Sequence, residues 1–166
     1  MRTIIAGSRQ VPGVCWINRA VELAVSEGGL AFPTEVVSGT APGADQLGET
    51  WAAGHGVPVQ PFPAPWSDWE DKPPREVRQR SDGSFYWVRA GHHRNGQMAL
   101  YVRETHPGQL VAVRMGKTPG TKDMVTKARD AELSLFVYDV PTQSYSFINA
   151  VTGETAGWTK DPNPPL

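Results

Sequence analysis

Short β-branched runs that stop at glycine, each followed by a stretch with helical spacing, constrain this chain more than any other feature. Thr3-Ile4-Ile5-Ala6 is apolar and ends at Gly7, which reads as a buried first strand. Pro12-Gly13 opens a helical pattern in which Ile17, Ala20, Val21, Ala24 and Val25 share one face, and Gly28-Gly29 closes it. Glu35 to Ser38 is a second strand, Ala44 to Ala53 a short helix with Leu47 and Trp51 one turn apart, and Val57 to Phe62 a third strand. Asn95, Met98, Ala99 and Val102 mark a third helix that ends before Pro107-Gly108. Leu110 to Met115 is a fourth strand and Leu133 to Tyr138 a fifth. Between them Thr121, Met124, Val125, Ala128 and Glu132 outline a fourth helix. Strands alternating with helices predict an α/β fold, a three-layer sandwich around a mostly parallel sheet with right-handed crossovers.

Two segments depart from this rhythm. Pro63, Pro65, Pro73 and Pro74 make an irregular stretch that holds Trp66 and Trp69. Glu76 to Arg80 and Ser84 to Val88 then flank Asp82-Gly83, which predicts an inserted β-hairpin over residues 75–89. Phe85, Tyr86 and Trp87 form an exposed aromatic ridge if that hairpin projects, fit to close over a ligand or to meet a second copy. The domain proper is expected over 1–138, with 139–166 as a C-terminal extension. That extension holds a possible hairpin around Val151-Thr152-Gly153 and a frayed Pro-rich end from Asp161 to Leu166.

Composition closes several function classes. Sixteen basic residues face seventeen acidic ones for a net charge of −1, which argues against a globally basic nucleic-acid binder. A single cysteine, Cys15, excludes an intramolecular disulfide and a multi-thiolate zinc site. Adjacent His92-His93 point different ways on a helix, so no metal and no cofactor is expected. No apolar run approaches the roughly 20 residues of a membrane span, and MRTIIAGSR lacks a signal-peptide layout, so a cytoplasmic protein without membrane contact is expected.

Ligands of parallel sheets bind beyond the carboxyl ends of the strands. Three connections there pair glycine with a hydroxyl ahead of a helix. They are Gly7-Ser8-Arg9, then Ser38-Gly39-Thr40-Ala41-Pro42-Gly43-Ala44-Asp45, then Gly116-Lys117-Thr118-Pro119-Gly120-Thr121-Lys122. Glycine admits close backbone approach, and a helix N-terminus offers unpaired N–H groups to phosphate. Any one of them alone is an ordinary tight turn; three on one edge favour a phosphate site. Two familiar motifs fail: Val111 stands where a P-loop needs its first glycine, and no GxGxxG follows the first strand.

These residues resemble a known family. Gly7-Ser8-Arg9, the run from Val37 through Gly39, Ala41, Gly43-Ala44-Asp45, Leu47-Gly48-Glu49 to Trp51-Ala52, then Phe62-Pro63-Ala64 with Trp66, Arg94-Asn95 with Met98-Ala99, and Gly120-Thr121-Lys122-Asp123-Met124 are similar to the YspA-like branch of the SLOG superfamily. The superfamily takes its name from the Smf/DprA and LOG proteins. The resemblance spans residues 1 to about 138. It implies a Rossmann-like fold, a nucleotide or ADP-ribose-type ligand, and a homodimer or higher homo-oligomer. The hairpin at 75–89 and the tail after Asp139 depart from the pattern. Met124 stands where the resemblance would place the glutamate of the LOG phosphoribohydrolases. A thioether neither steadies an oxocarbenium ion nor handles a proton.

The resulting expectation is a sensor, carrier or sequestering protein that binds its ligand through phosphate-binding loops rather than turning it over. Arg9 and Arg94 are the first choices for phosphate, because guanidinium forks match phosphate bidentately. Ser8, Thr40 and Thr121 add hydroxyls that equally suit helix capping. Asp45 suits a ribose hydroxyl or the helix dipole. Trp66 or Trp69 suits a stacked base or a core lid, and Lys117 and Lys122 are steering or solvated charges. Two alternatives stand beside it: a nucleotide N-glycosidase with Asp45, Glu49 or Asp123 as acid–base group, and a single-stranded DNA-binding module of the DNA-processing type.

Overall fold

The computed structural model describes residues 1–165 and arranges them as an α/β sandwich with a separate two-stranded hairpin. In chain order the strands are β1 (Arg2–Gly7), β2 (Glu35–Ser38), β3 (Val59–Pro61), β4 (Val77–Gln79), β5 (Phe85–Trp87), β6 (Gln109–Arg114), β7 (Ser134–Asp139), β8 (Ser144–Ile148) and β9 (Thr155–Lys160). The helices are α1 (Val14–Ser26), α2 (Ala44–Gly54), α3 (Ala90–Arg103) and α4 (Pro119–Asp130). The main sheet runs β3-β2-β1-β6-β7-β8-β9, parallel as far as β7 and antiparallel beyond it. Strands β4 and β5 pair only with each other.

Strand alternation sorts the core into two halves. Ile5 meets α1 and α2 on one face, while Ile4 and Ala6 meet α3 and α4 on the other. Ile4 and Ile5 are both 0% exposed, and each burial contributes about 2 kcal/mol. In α1 the expected face is buried from Ile17 to Ala24, but Val25 lies outside it and Leu23 is buried in its place.

The order reverses direction between β1 and β6, which opens a crevice at the carboxyl ends of those two strands. Gly7 turns the chain there with φ 154°, and a side chain at that position would collide with the Val113 carbonyl. Only glycine lets β1 and β6 stay paired through Gly7 and Val113 while the chain leaves the sheet.

Three expectations need correction, and one hairpin formed as expected. Helix α3 begins at Ala90, a turn before its apolar periodicity starts, so Arg94 and Asn95 are helical. Trp87 is not part of an exposed ridge: it is 9% exposed, and its indole N–H donates to Glu76 at 3.1 Å. The turn at Val151-Thr152-Gly153 does close a hairpin, and that hairpin joins the main sheet through β7. The Pro-rich end is clasped at its start, because the buried Asp161 carboxylate accepts from Arg19 at 2.6 Å and from the Tyr138 hydroxyl at 2.8 Å. Leu166, the last residue of the expected frayed end, lies outside the described residues. No helix among the described residues is long and apolar enough to cross a membrane.

Candidate functional site

Ser8 ties the first glycine-bearing connection to the second and to the end of β6, just ahead of the third. Its N–H donates to the Val113 carbonyl at 3.1 Å, its hydroxyl accepts from the Met115 N–H at 2.9 Å, and its carbonyl accepts from the Ala44 N–H at 3.1 Å. One residue after β1 is thereby fastened to the end of β6 and to the start of α2. The connections surround a cavity of about 370 Å³, within the size range of small-ligand sites.

Of the expected residues, Gly7, Ser8, Arg9, Asp45, Trp66, Arg94, Asn95, Gly120 and Thr121 line this cavity. Gly120 and Thr121 stand in the first turn of α4, where their N–H groups have no carbonyl within the helix. Arg9 is exposed and makes no ion pair among the described residues. Trp66 presents its ring from the segment after β3 and is half-buried.

Arg94 is held rather than free. Its Nη1 donates to the Gly39 carbonyl and its Nε donates to Asn95 Oδ1 at 3.0 Å. Gly39 makes room for this: a Cβ there would sit 2.6 Å from Asp45 Oδ2 and against the guanidinium. Asn95 in turn donates to Asp123 at 3.0 Å. The second glycine connection thus serves mainly as a bed for Arg94 and Asp45.

Asp45 is 5% exposed, in the first turn of α2, and its Oδ2 accepts from the Ala41 N–H at 3.2 Å. Burial pushes its carboxyl up to about 6, against the pull of Arg94, the Ala41 N–H and Arg9 and with the push of Glu49. Near pH 6 the cavity wall therefore holds a titrating proton whose release the Arg94 and Arg9 charges favour.

Other expected residues stand outside the cavity wall. Ser38 is buried and donates to Glu49 at 2.6 Å while accepting from the Thr40 N–H at 3.0 Å. Thr40 adopts φ 62°, Gly43 lies against the Arg9 backbone, and Ala44 is 0% exposed beneath Gly7. Asp123 is engaged by Asn95 and by Lys127 at 2.9 Å, with His92 at 3.7 Å. Trp69 packs on Phe85, 5.0 Å between ring centres. Lys117 and Lys122 border a second cavity across α4, and Gly116 lines neither.

The wall also contains Gln10, Gly91 and His92, which sequence reasoning did not expect there, and Ala41, Met98 and Thr118, which it had read in motifs but not as contact residues. A signal existed for Thr118: threonine followed by proline is a helix start, which marks it as the residue before α4. Gly91 and His92 were hidden with the early start of α3. Met124, on α4, lies in the wall and is 2% exposed. No protein-family model, curated protein or solved structure matches this chain.

Proposed function

We propose that this chain binds a nucleotide or ADP-ribose-type ligand in the cavity beyond β1 and β6, without turning it over. The observation that supports this reading most is the joining of three glycine-bearing connections around one cavity with two guanidiniums. Phosphates fit between Arg9 and the Gly120 and Thr121 N–H groups. Trp66 offers a face for a base, and Asp45 an acceptor for a ribose hydroxyl. Arg94, already bonded to Gly39 and Asn95, supplies fixed charge. The resemblance to the YspA-like branch of the SLOG superfamily points the same way.

Binding without turnover is favoured by the chemistry beside the ligand. Met124 supplies no acid–base group. Asp123 and Glu49 are spent on Asn95, Lys127 and Ser38 outside the wall. The Asp45 carboxyl, raised to about 6, and the His92 imidazole are the acid–base groups left in the wall, so a hydrolase reading rests on these two. Incubating the pure protein with a series of nucleotides, and with ADP-ribose, separates the two. One intact ligand recovered per chain supports binding; product beyond one equivalent overturns it. Arg9→Ala should abolish the thermal stabilisation by ligand, whereas Lys160→Ala, far from the cavity, should leave it intact.

A further inference from the structure

Strands β8 and β9 carry the sheet past the helices on one of its faces. Toward α1, Tyr145 and Phe147 are buried in the core beside Phe136. Toward α4 the hairpin bounds a second cavity of about 750 Å³. Val125 and Val137 give it an apolar floor, and Trp158, 53% exposed, stands at its side. Its remaining wall is cationic: Arg114, Lys117, Lys122 and Arg129. Arg114 is paired with Asp139 at 2.9 Å and lies over the Trp158 ring at 4.6 Å. Lys117, Lys122 and Arg129 make no ion pair among the described residues, and no carboxylate lines the cavity.

A chain of net charge −1 has gathered four cations around one exposed indole. Like charges held together repel, and an anion relieves the repulsion. A large exposed aromatic ring beside those cations suits a flat base. Thr118 and Thr121 line both cavities, so the two lie on opposite sides of the first turn of α4. From this juxtaposition we infer that the second cavity takes a further nucleotidyl group, its base on Trp158 and its phosphate among Lys117, Lys122 and Arg129. The inference rests on the first cavity taking a nucleotide. The group is either the second half of a dinucleotide that crosses the α4 turn or a separate nucleotide.

Calorimetry on the full chain tests this with nucleoside diphosphates of the four common bases, with diadenosine and diguanosine tetraphosphates, and with an oligothymidylate. Lys122→Ala/Arg129→Ala and Trp158→Ala alter only the second cavity, and Arg9→Ala only the first. For the dinucleotide source, one dinucleotide binds per chain, and the second-cavity variants weaken it about ten- to a hundredfold, without changing a diphosphate held through Arg9. For the separate source, two diphosphates bind per chain and those variants lose one. If they change neither dinucleotide affinity nor diphosphate stoichiometry while Arg9→Ala abolishes binding, the inference falls and the first-cavity reading stands. Binding that depends on Trp158 but not on Arg9 removes the first-cavity reading and, with it, the inference of a further group beside it. Oligothymidylate binding with no nucleotide binding, or no binding at all, overturns both. Unchanged circular dichroism of each variant excludes misfolding.

Discussion

Asp45 is the residue whose environment reports most directly on the cavity. Its carboxyl moves from an ordinary 3.8 to about 6, because burial opposes charge more strongly than Arg94, the Ala41 N–H and Arg9 restore it. The folded chain then holds a proton that the unfolded chain releases, so stability falls as pH rises through that interval, by about 3 kcal/mol in all. Asp45→Asn should flatten that part of a stability profile measured by urea unfolding. An unchanged slope would show that another group carries it. For a ligand the sign is the same: an anion binds better once Asp45 is neutral. ADP-ribose is the right probe, because its pyrophosphate does not titrate near pH 6. Its affinity should rise as pH falls from about 7.5 to about 5 in the native chain and rise less in Asp45→Asn.

At the scale of elements, the parts legible in the sequence were those whose partners are regular. Strands β1, β2, β6 and β7 are apolar runs buried on both faces, and each could be placed to within about two residues. The hairpin β4–β5 followed from Asp82-Gly83, where Gly83 takes φ 89°. Helix α3 was not legible at its start. Gly91, His92 and His93 are poor helix formers, and the inward residues that follow are Arg94 and Asn95 rather than apolar ones. A polar pair buried for the sake of a cavity erases the periodicity by which a helix is recognised. The same holds for Glu49 and Asp123, whose partners Ser38 and Asn95 come from elsewhere in the fold.

Trp87 misled for a related reason. Its neighbours come from an irregular segment: Glu76 accepts its indole N–H, Lys72 lies 4.4 Å over its ring, and its backbone N–H donates to the Trp66 carbonyl at 2.9 Å. That last bond links the hairpin to a residue of the cavity wall. Trp87→Ala should cost about 3 kcal/mol and free the Trp66 segment, seen as faster hydrogen exchange at residues 64–69. Glu76→Gln, which loses the exposed pairing with Arg89 at 3.1 Å, should cost less than about 1 kcal/mol. Equal exchange in Trp87→Ala and the native chain would detach the hairpin from the site.

Over the whole molecule, the last described residues return to the first helix. Asp161 joins Arg19 and Tyr138 across 142 residues of chain, a pairing no local pattern announces. Burial alone would raise its carboxyl; the Arg19 hydrogen bonds, the Asn163 N–H and the Tyr138 hydroxyl outweigh that and hold it below its ordinary value. The contribution is therefore present at neutral pH and lost as pH falls through that lowered value. Asp161→Ala leaves the partly buried Arg19 with Glu22 at 3.5 Å as its remaining ion-pair partner and should cost about 2–3 kcal/mol by urea unfolding, with the largest part of the loss at β9. A change under about 1 kcal/mol would mean that water reaches Arg19 freely.

The threonine pair at the head of α4 has one more consequence. Thr118 donates to Thr121 at 2.9 Å, and these two side chains stand between both hollows. A party wall of this kind has two sides and a single position, so any shift that enlarges one room shrinks its neighbour. Independent occupants would thus compete through volume without ever touching. A molecule draped over the ridge would instead pin it in place.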